Sequence, residues 1–139
     1  MKNLQHLLIS SLLLLTLGSM TNLPQDKATG NELIGTWKWI HVTNSETQQI
    51  LGLDILTMGL AKEIKTEFKQ DSTYVEYKNK LKGEGYAMIN GLWGIISETK
   101  TLKMKAKDQW ISSKIIYLTK DTLIIEIRKP MHLLMIKEK

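Results

Sequence analysis

From Glu32 onward the chain alternates between apolar and polar residues with a period of two, the signature of strands with one face buried. The first such run is Ile34 to Val42, with Trp37 and Trp39 on one face and Thr36 and Lys38 on the other. Ile64, Thr66 and Phe68 share a face in the next. "QDS" (70–72) predicts a tight turn, and Thr73 to Lys78 returns. After the loop "KLKGEG" (80–85), Tyr86 to Ile96 forms a strand interrupted by Gly91 and Gly94, where a bulge or bend is expected. "SETK" (97–100) leads into Thr101–Lys107, then Ile111–Leu118. "TKD" (119–121) turns into Thr122–Arg128, with Leu123, Ile125 and Ile127 inward; Pro130 stops that ladder before Met131–Ile136. About eight short strands joined by tight turns predict an all-β sandwich or barrel. Sequential hairpins favour a meander, and closing it into a barrel removes the exposed edges.

Two segments depart from this pattern. Residues 1–20 have Lys2 in a short basic head and an apolar run from Leu7 to Leu17. That run is shorter than the roughly 20 residues a spanning helix needs and has the form of a signal peptide. A flexible lead over 21–31, with Pro24 and Gly30, then precedes a domain over 32–139. The second departure is the link at 43–63. Ile50, Leu53, Ile55, Leu56, Met58 and Leu60 make it too apolar for a solvated loop, at loosely helical spacing. It reads as a short helix or folded flap across one end of the barrel.

The absence of cysteine changes the picture twice. It excludes disulfides, so stability rests on the core. It also excludes lipid attachment at "LGSM" (17–20), which resembles a bacterial lipobox with Met20 in the cysteine's place. The chain is therefore expected to be exported, to the periplasm or beyond. Lys2 is the only charged residue in the signal, so its removal lowers the net charge from +5 to +4. The lysines are spread, as in "KTLKMKAK" (100–107), rather than gathered into a basic patch, and no nucleic-acid motif is present.

"ELIGTWKW" resembles the opening of lipocalin-like domains, whose first strand carries Gly-x-Trp, here Gly35, Thr36 and Trp37. "FKQDSTYVEY", "GLWGI…KTLKM" and "IIYLTKDTLIIEI" are similar to later hairpins of small lipocalin-like families in Gram-negative envelopes, and the resemblance spans most of 32–128. It implies an eight-stranded antiparallel up-and-down barrel that holds a small hydrophobic molecule without catalysis. It also implies that 43–63 is the lid, with Ile50, Leu53, Leu56 and Met58 over the open end. Gly35 and Trp37 are then the structural plug at the closed end. Lipocalins often pack a late-strand arginine across that tryptophan. Arg128 is the one arginine, but its alternation sets it opposite Leu123, Ile125 and Ile127.

The faces of the predicted strands give an inward set. Trp39, Phe68, Tyr77, Met88, Met104, Tyr117 and Ile125 are its candidate ligand-binding members; Val75, Leu102, Ile115, Leu123 and Ile127 are its other core positions. Tyr77, Tyr117 or Asn90 would orient the ligand. An eight-stranded barrel either holds one small ligand or is filled by its own side chains, so a filled barrel acting as an envelope scaffold or protein-interaction module is the alternative. Catalysis has little to stand on. His41 and His132 are far apart without metal-like spacing, no nucleophile motif occurs, and "GEG" (83–85) lies in a hairpin loop. Glu67 and Glu76 read as outward charges paired with Lys65 and Lys78. No metal or cofactor is expected, and no protein partner is indicated.

Overall fold

In a computed structural model, the residues described are 27–53, 57–58, 61–80 and 85–139. The signal segment, the start of the lead and Leu56 lie outside them. A short helix α1 (Lys27–Leu33) precedes β1 (Gly35–Asn44), β2 (Ile50–Leu51), β3 (Ala61–Phe68), β4 (Thr73–Lys80) and β5 (Tyr86–Ile96). β6 (Thr101–Ala106), β7 (Gln109–Leu118), β8 (Thr122–Arg128) and β9 (Met131–Lys137) complete the chain. β1 and β3 to β9 pair in sequence order, each antiparallel to the next, and β9 returns to β1 over the register Trp37↔Lys137 to Asn44↔Met131. The result is the predicted closed eight-stranded barrel, and β2 is a two-residue addition against the end of β1. The lead expected to be flexible ends instead in α1, whose Leu33 is fully buried in the core.

Alternation decides the inward face of each strand only until a bulge reverses it. Register shifts fall at Ile40 in β1, Lys62 in β3, Ile116 in β7 and Ile127 in β8. None falls at Gly91 or Gly94, where the sequence suggests one. Gly91 serves a different purpose. It faces inward beside the Tyr74 ring, and a Cβ there would run into the Lys105 carbonyl oxygen and that ring. The bulge at Ile40 keeps Trp37, Trp39 and Val42 all on the inner face. The one at Ile116 turns Tyr117 outward and Leu118 back in.

The aromatic part of the core lies at the end of the barrel that α1 covers. Trp37, Phe68, Trp93, Ile95, Leu102 and Leu123 are at most 2 % exposed. The Phe68 and Trp93 rings meet edge to face with centroids 5.3 Å apart, and Tyr74 lies 6.4 Å from Phe68 on the other side. Trp93 Nε1 donates to Lys69 O at 3.0 Å, and Trp37 Nε1 donates to Leu33 O at 2.7 Å, fixing α1 under the barrel. Among the described residues no buried side-chain polar atom lacks a partner.

Outside, Glu63 sits between Lys38 at 3.2 Å and Lys65 at 3.5 Å, and Lys65 also meets Glu138 at 2.6 Å. Lys38 beside Glu63 holds that carboxyl below its ordinary range. The Thr73 hydroxyl and amide do the same for Asp71 in the β3–β4 turn. These pairs are exposed, so each contributes little.

Trp37→Ala is expected to cost about 3–5 kcal/mol in denaturant unfolding, whereas Trp110→Ala, outside the barrel and 46 % exposed, stays below about 1 kcal/mol. Both lowered carboxyls stabilise the fold fully above the unfolded carboxylate range of about 4, and that contribution is lost as the pH falls through their native values. The melting temperature should therefore hold steady down to about pH 5 and decline below about pH 4, with a shallower decline in Glu63→Gln.

Candidate ligand-binding mouth

The inward positions divide the barrel into two unlike halves. One half is the plug. Gly35 opens β1 with φ +130°, a conformation that L side chains rarely adopt. A Cβ at Gly35 would lie 3.1 Å from Lys137 Cε. The space it leaves is taken by Lys137, whose Nζ lies 5.0 Å from the Trp37 ring centroid and donates to Glu32 O at 2.7 Å. Burial pushes the Lys137 ammonium down in pKa, and the Glu32 carboxylate pulls it back up. A cation does cross the signature tryptophan, and it comes from β9. Arg128 is exposed at the far end of β8.

In the other half the inward side chains are mixed: Val42, Ile64 and Leu133 are at most 1 % exposed, and others are small, polar or partly exposed. Inward positions pair in rows across the sheet: Ile64 with Lys78 and Ala87, Thr66 with Glu76 and Ile89, and Gly91 with Ala106 and Gln109. Ile111, opposite Met104, is 58 % exposed although its position faces inward. Glu76 and Lys78 form an ion pair of 3.0 Å, with the Glu76 side chain 13 % exposed and Lys78 37 %. The Glu76 carboxylate, after burial, helps push the Tyr74 hydroxyl up in pKa, as expected of neighbours on one face. Trp39 spans the two halves. It is partly buried against the core, and its Nε1 donates to the buried Thr66 Oγ1 at 2.9 Å.

Of the candidate residues, Trp39, Phe68, Met104 and Ile125 face the interior, Phe68 within the plug. Tyr77 and Met88 do not. They pair with each other on the outer face, as do Val75 and Asn90. Tyr77 donates its hydroxyl to Glu67 there at 3.0 Å, which raises its own pKa, and Met88 is 62 % exposed. Tyr117, turned out by the Ile116 bulge, borders a cleft of about 300 Å³ at the plugged end, with Glu32, Ile95, Ile115 and Leu118. Tyr77, Tyr117 and Asn90, expected to orient a ligand, thus face away from the interior. Glu76 and Lys78, expected outside, are inside; Glu67 is on the opposite face from Glu76. Glu76, Lys78 and Gln109 are inward polar groups of this half with exposed side-chain area, whereas Thr66 is buried and holds the Trp39 indole. The sequence held one signal of this, the run Glu76–Tyr77–Lys78, in which either face is a legible choice.

The link after β1 folds back at this end. Asn44 Oδ1 accepts from the amides of Glu46 and Thr47, β2 pairs with β1, and Leu53 is buried in the core cluster. Thr57 N and Thr57 Oγ1 both donate to Leu53 O, at 2.9 and 2.8 Å. Ile50 and Met58 are 64 % and 87 % exposed.

A lipocalin-like protein from Bacteroides uniformis superposes on the chain with a TM-score of 0.61 at 10% identity, over 77% of this chain and 99% of that one. The fold is lipocalin-like. An uncharacterized protein from Bacteroides eggerthii superposes on this lipocalin-like barrel with a TM-score of 0.58 at 10% identity, over 76% of this chain and 99% of that one. No protein-family model matches the chain, and no curated protein matches it in sequence. Among the described residues of this lipocalin-like fold no group of three His, Asp or Glu side chains is placed to hold a metal. His132 meets Glu126 at 3.5 Å on the outer face.

Thr66→Val keeps the shape of that side chain but leaves the Trp39 indole N–H without its acceptor. It should cost about 1–3 kcal/mol in denaturant unfolding, a loss expected to shrink when Trp39→Phe is present as well.

Proposed function

We propose that the protein is an exported, non-catalytic carrier that takes one small hydrophobic molecule into the mouth of the barrel. The observation that supports it most directly is the asymmetry of the interior. Aromatic residues fill one half, and the other combines buried Val42, Ile64 and Leu133 with alanine, partly exposed Ile111 and the polar Glu76, Lys78 and Gln109. Concave sites of this kind draw affinity from apolar burial and orientation from a few polar groups. Trp39, Met104, Ile89 and Ile111 would form the apolar wall, and the Glu76–Lys78 pair would meet the ligand's polar end. Residues 43–63 act as the lid, anchored by Leu53 and by the pairing of β2 with β1, with the exposed Ile50 and Met58 as its apolar contacts.

An environment-sensitive probe such as 1-anilinonaphthalene-8-sulfonate tests this. Saturable uptake at one probe per chain is expected. Ala106→Trp, which fills the mouth, should weaken it by about tenfold or more while leaving the fold intact by circular dichroism. Absence of saturable uptake in the folded protein would favour the filled scaffold instead.

A further inference from the structure

The outer face of β5–β7 has a composition that the barrel itself does not require. Its outward positions include Tyr86, Met88 and Leu92 on β5, Lys103 and Lys105 on β6, and Trp110 on β7. Tyr86, Met88, Leu92 and Trp110 are each 46 % exposed or more. Leu92, Lys105 and Trp110 form one row across the three strands, with Lys105 Nζ 5.9 Å from the Trp110 ring centroid. Lys114 on β7 stands opposite Glu126 of β8, so the uncompensated lysines of this face are Lys103 and Lys105. No outward position of β5, β6 or β7 is Asp or Glu, whereas the outer faces of β3 and β8 carry Glu63, Glu67 and Glu126.

We propose that this face docks on an anionic lipid membrane. Lys103 and Lys105 share this face and make no ion pair among the described residues, so they call for an anionic surface. Their apolar stems lie among exposed large side chains, so the head groups reach phosphate while Trp110, Met88 and Leu92 enter the interface. Tyr and Trp suit the boundary between headgroup and hydrocarbon, and each lysine near an anionic leaflet adds attraction. A protein partner fits less well, because protein–protein interfaces are depleted in lysine and place apolar residues in a continuous centre. Here lysine sits between the apolar residues. The surface belongs to the opposite side of the sheet from the mouth, so it stands whether or not the barrel takes a ligand.

The absence of cysteine from the chain allows a direct test. In the full chain, Ser112→Cys, on this face opposite Lys103, is labelled with a polarity-sensitive fluorophore. Lys120→Cys, in the β7–β8 turn at the plugged end, serves as the comparison. With vesicles of phosphatidylcholine and phosphatidylglycerol the label at 112 should shift to the blue, and the label at 120 should not. The shift should vanish at high salt and with phosphatidylcholine alone. Lys103→Glu with Lys105→Glu should lower the vesicle partition coefficient by about tenfold or more. Trp110→Ala should lower it in unlabelled flotation, with the fold of each variant checked by circular dichroism. The proposal is overturned by no shift at 112, by equal shifts at 112 and 120, or by partition that ignores the lysine changes. A shift with soluble polyglutamate but none with vesicles would overturn it in favour of an acidic protein partner.

Discussion

Closure of the sheet between β1 and β9 turns two exposed edges into one hydrogen-bonded seam, and the remaining strands can be short because of it. The seam joins residues about a hundred positions apart, such as Trp37 and Lys137. It brings a cation over the indole, requires the absent side chain at Gly35, and seats α1 below both. With no disulfide to hold the ends, the seam and the plug must do so through packing and hydrogen bonds alone. Non-local pairing of this kind sets a slow pace of folding, since the first strand is not satisfied on both sides until the last arrives.

The strands were legible because alternation is strong and the turns carry their own chemistry. Asp71 closing on Thr73 and Asp121 on Thr119 are local events that need no tertiary knowledge. The faces were less legible, for two physical reasons. A bulge adds one residue without changing composition, so nothing in "KIIYL" signals that Ile116 is extra and that Tyr117 turns out. And where both faces of a strand are apolar, alternation selects neither. In β5, Met88 and Leu92 oppose Ala87, Ile89, Trp93 and Ile95; only the register against Tyr74 through Gly91 settles which set is inside.

The inner ion pair of Glu76 and Lys78 illustrates the converse error. A rule that places charge in water assigns it outward, and in a closed core it would be right. A barrel with one wet end relaxes that rule, because its interior is also a surface. Misplaced polarity therefore marked the mouth more clearly than any apolar residue did. The resemblance carried by Gly35 and Trp37 led to the correct fold, yet its arginine is replaced by Lys137 from another strand. The physical demand, a cation over a buried indole, was met by a different residue at a different point in the chain.

The clasp between Lys137 and Glu32 has an engineering consequence. Helix α1 and the end of β9 leave the barrel side by side, on the side away from the mouth. A tag, tether or partner domain fused at either of those points would project from the plugged base and leave the opening unobstructed. The same proximity suits the barrel to circular permutation: a short linker across the base would restore continuity, and new termini cut at the 107–108 turn would emerge at the rim.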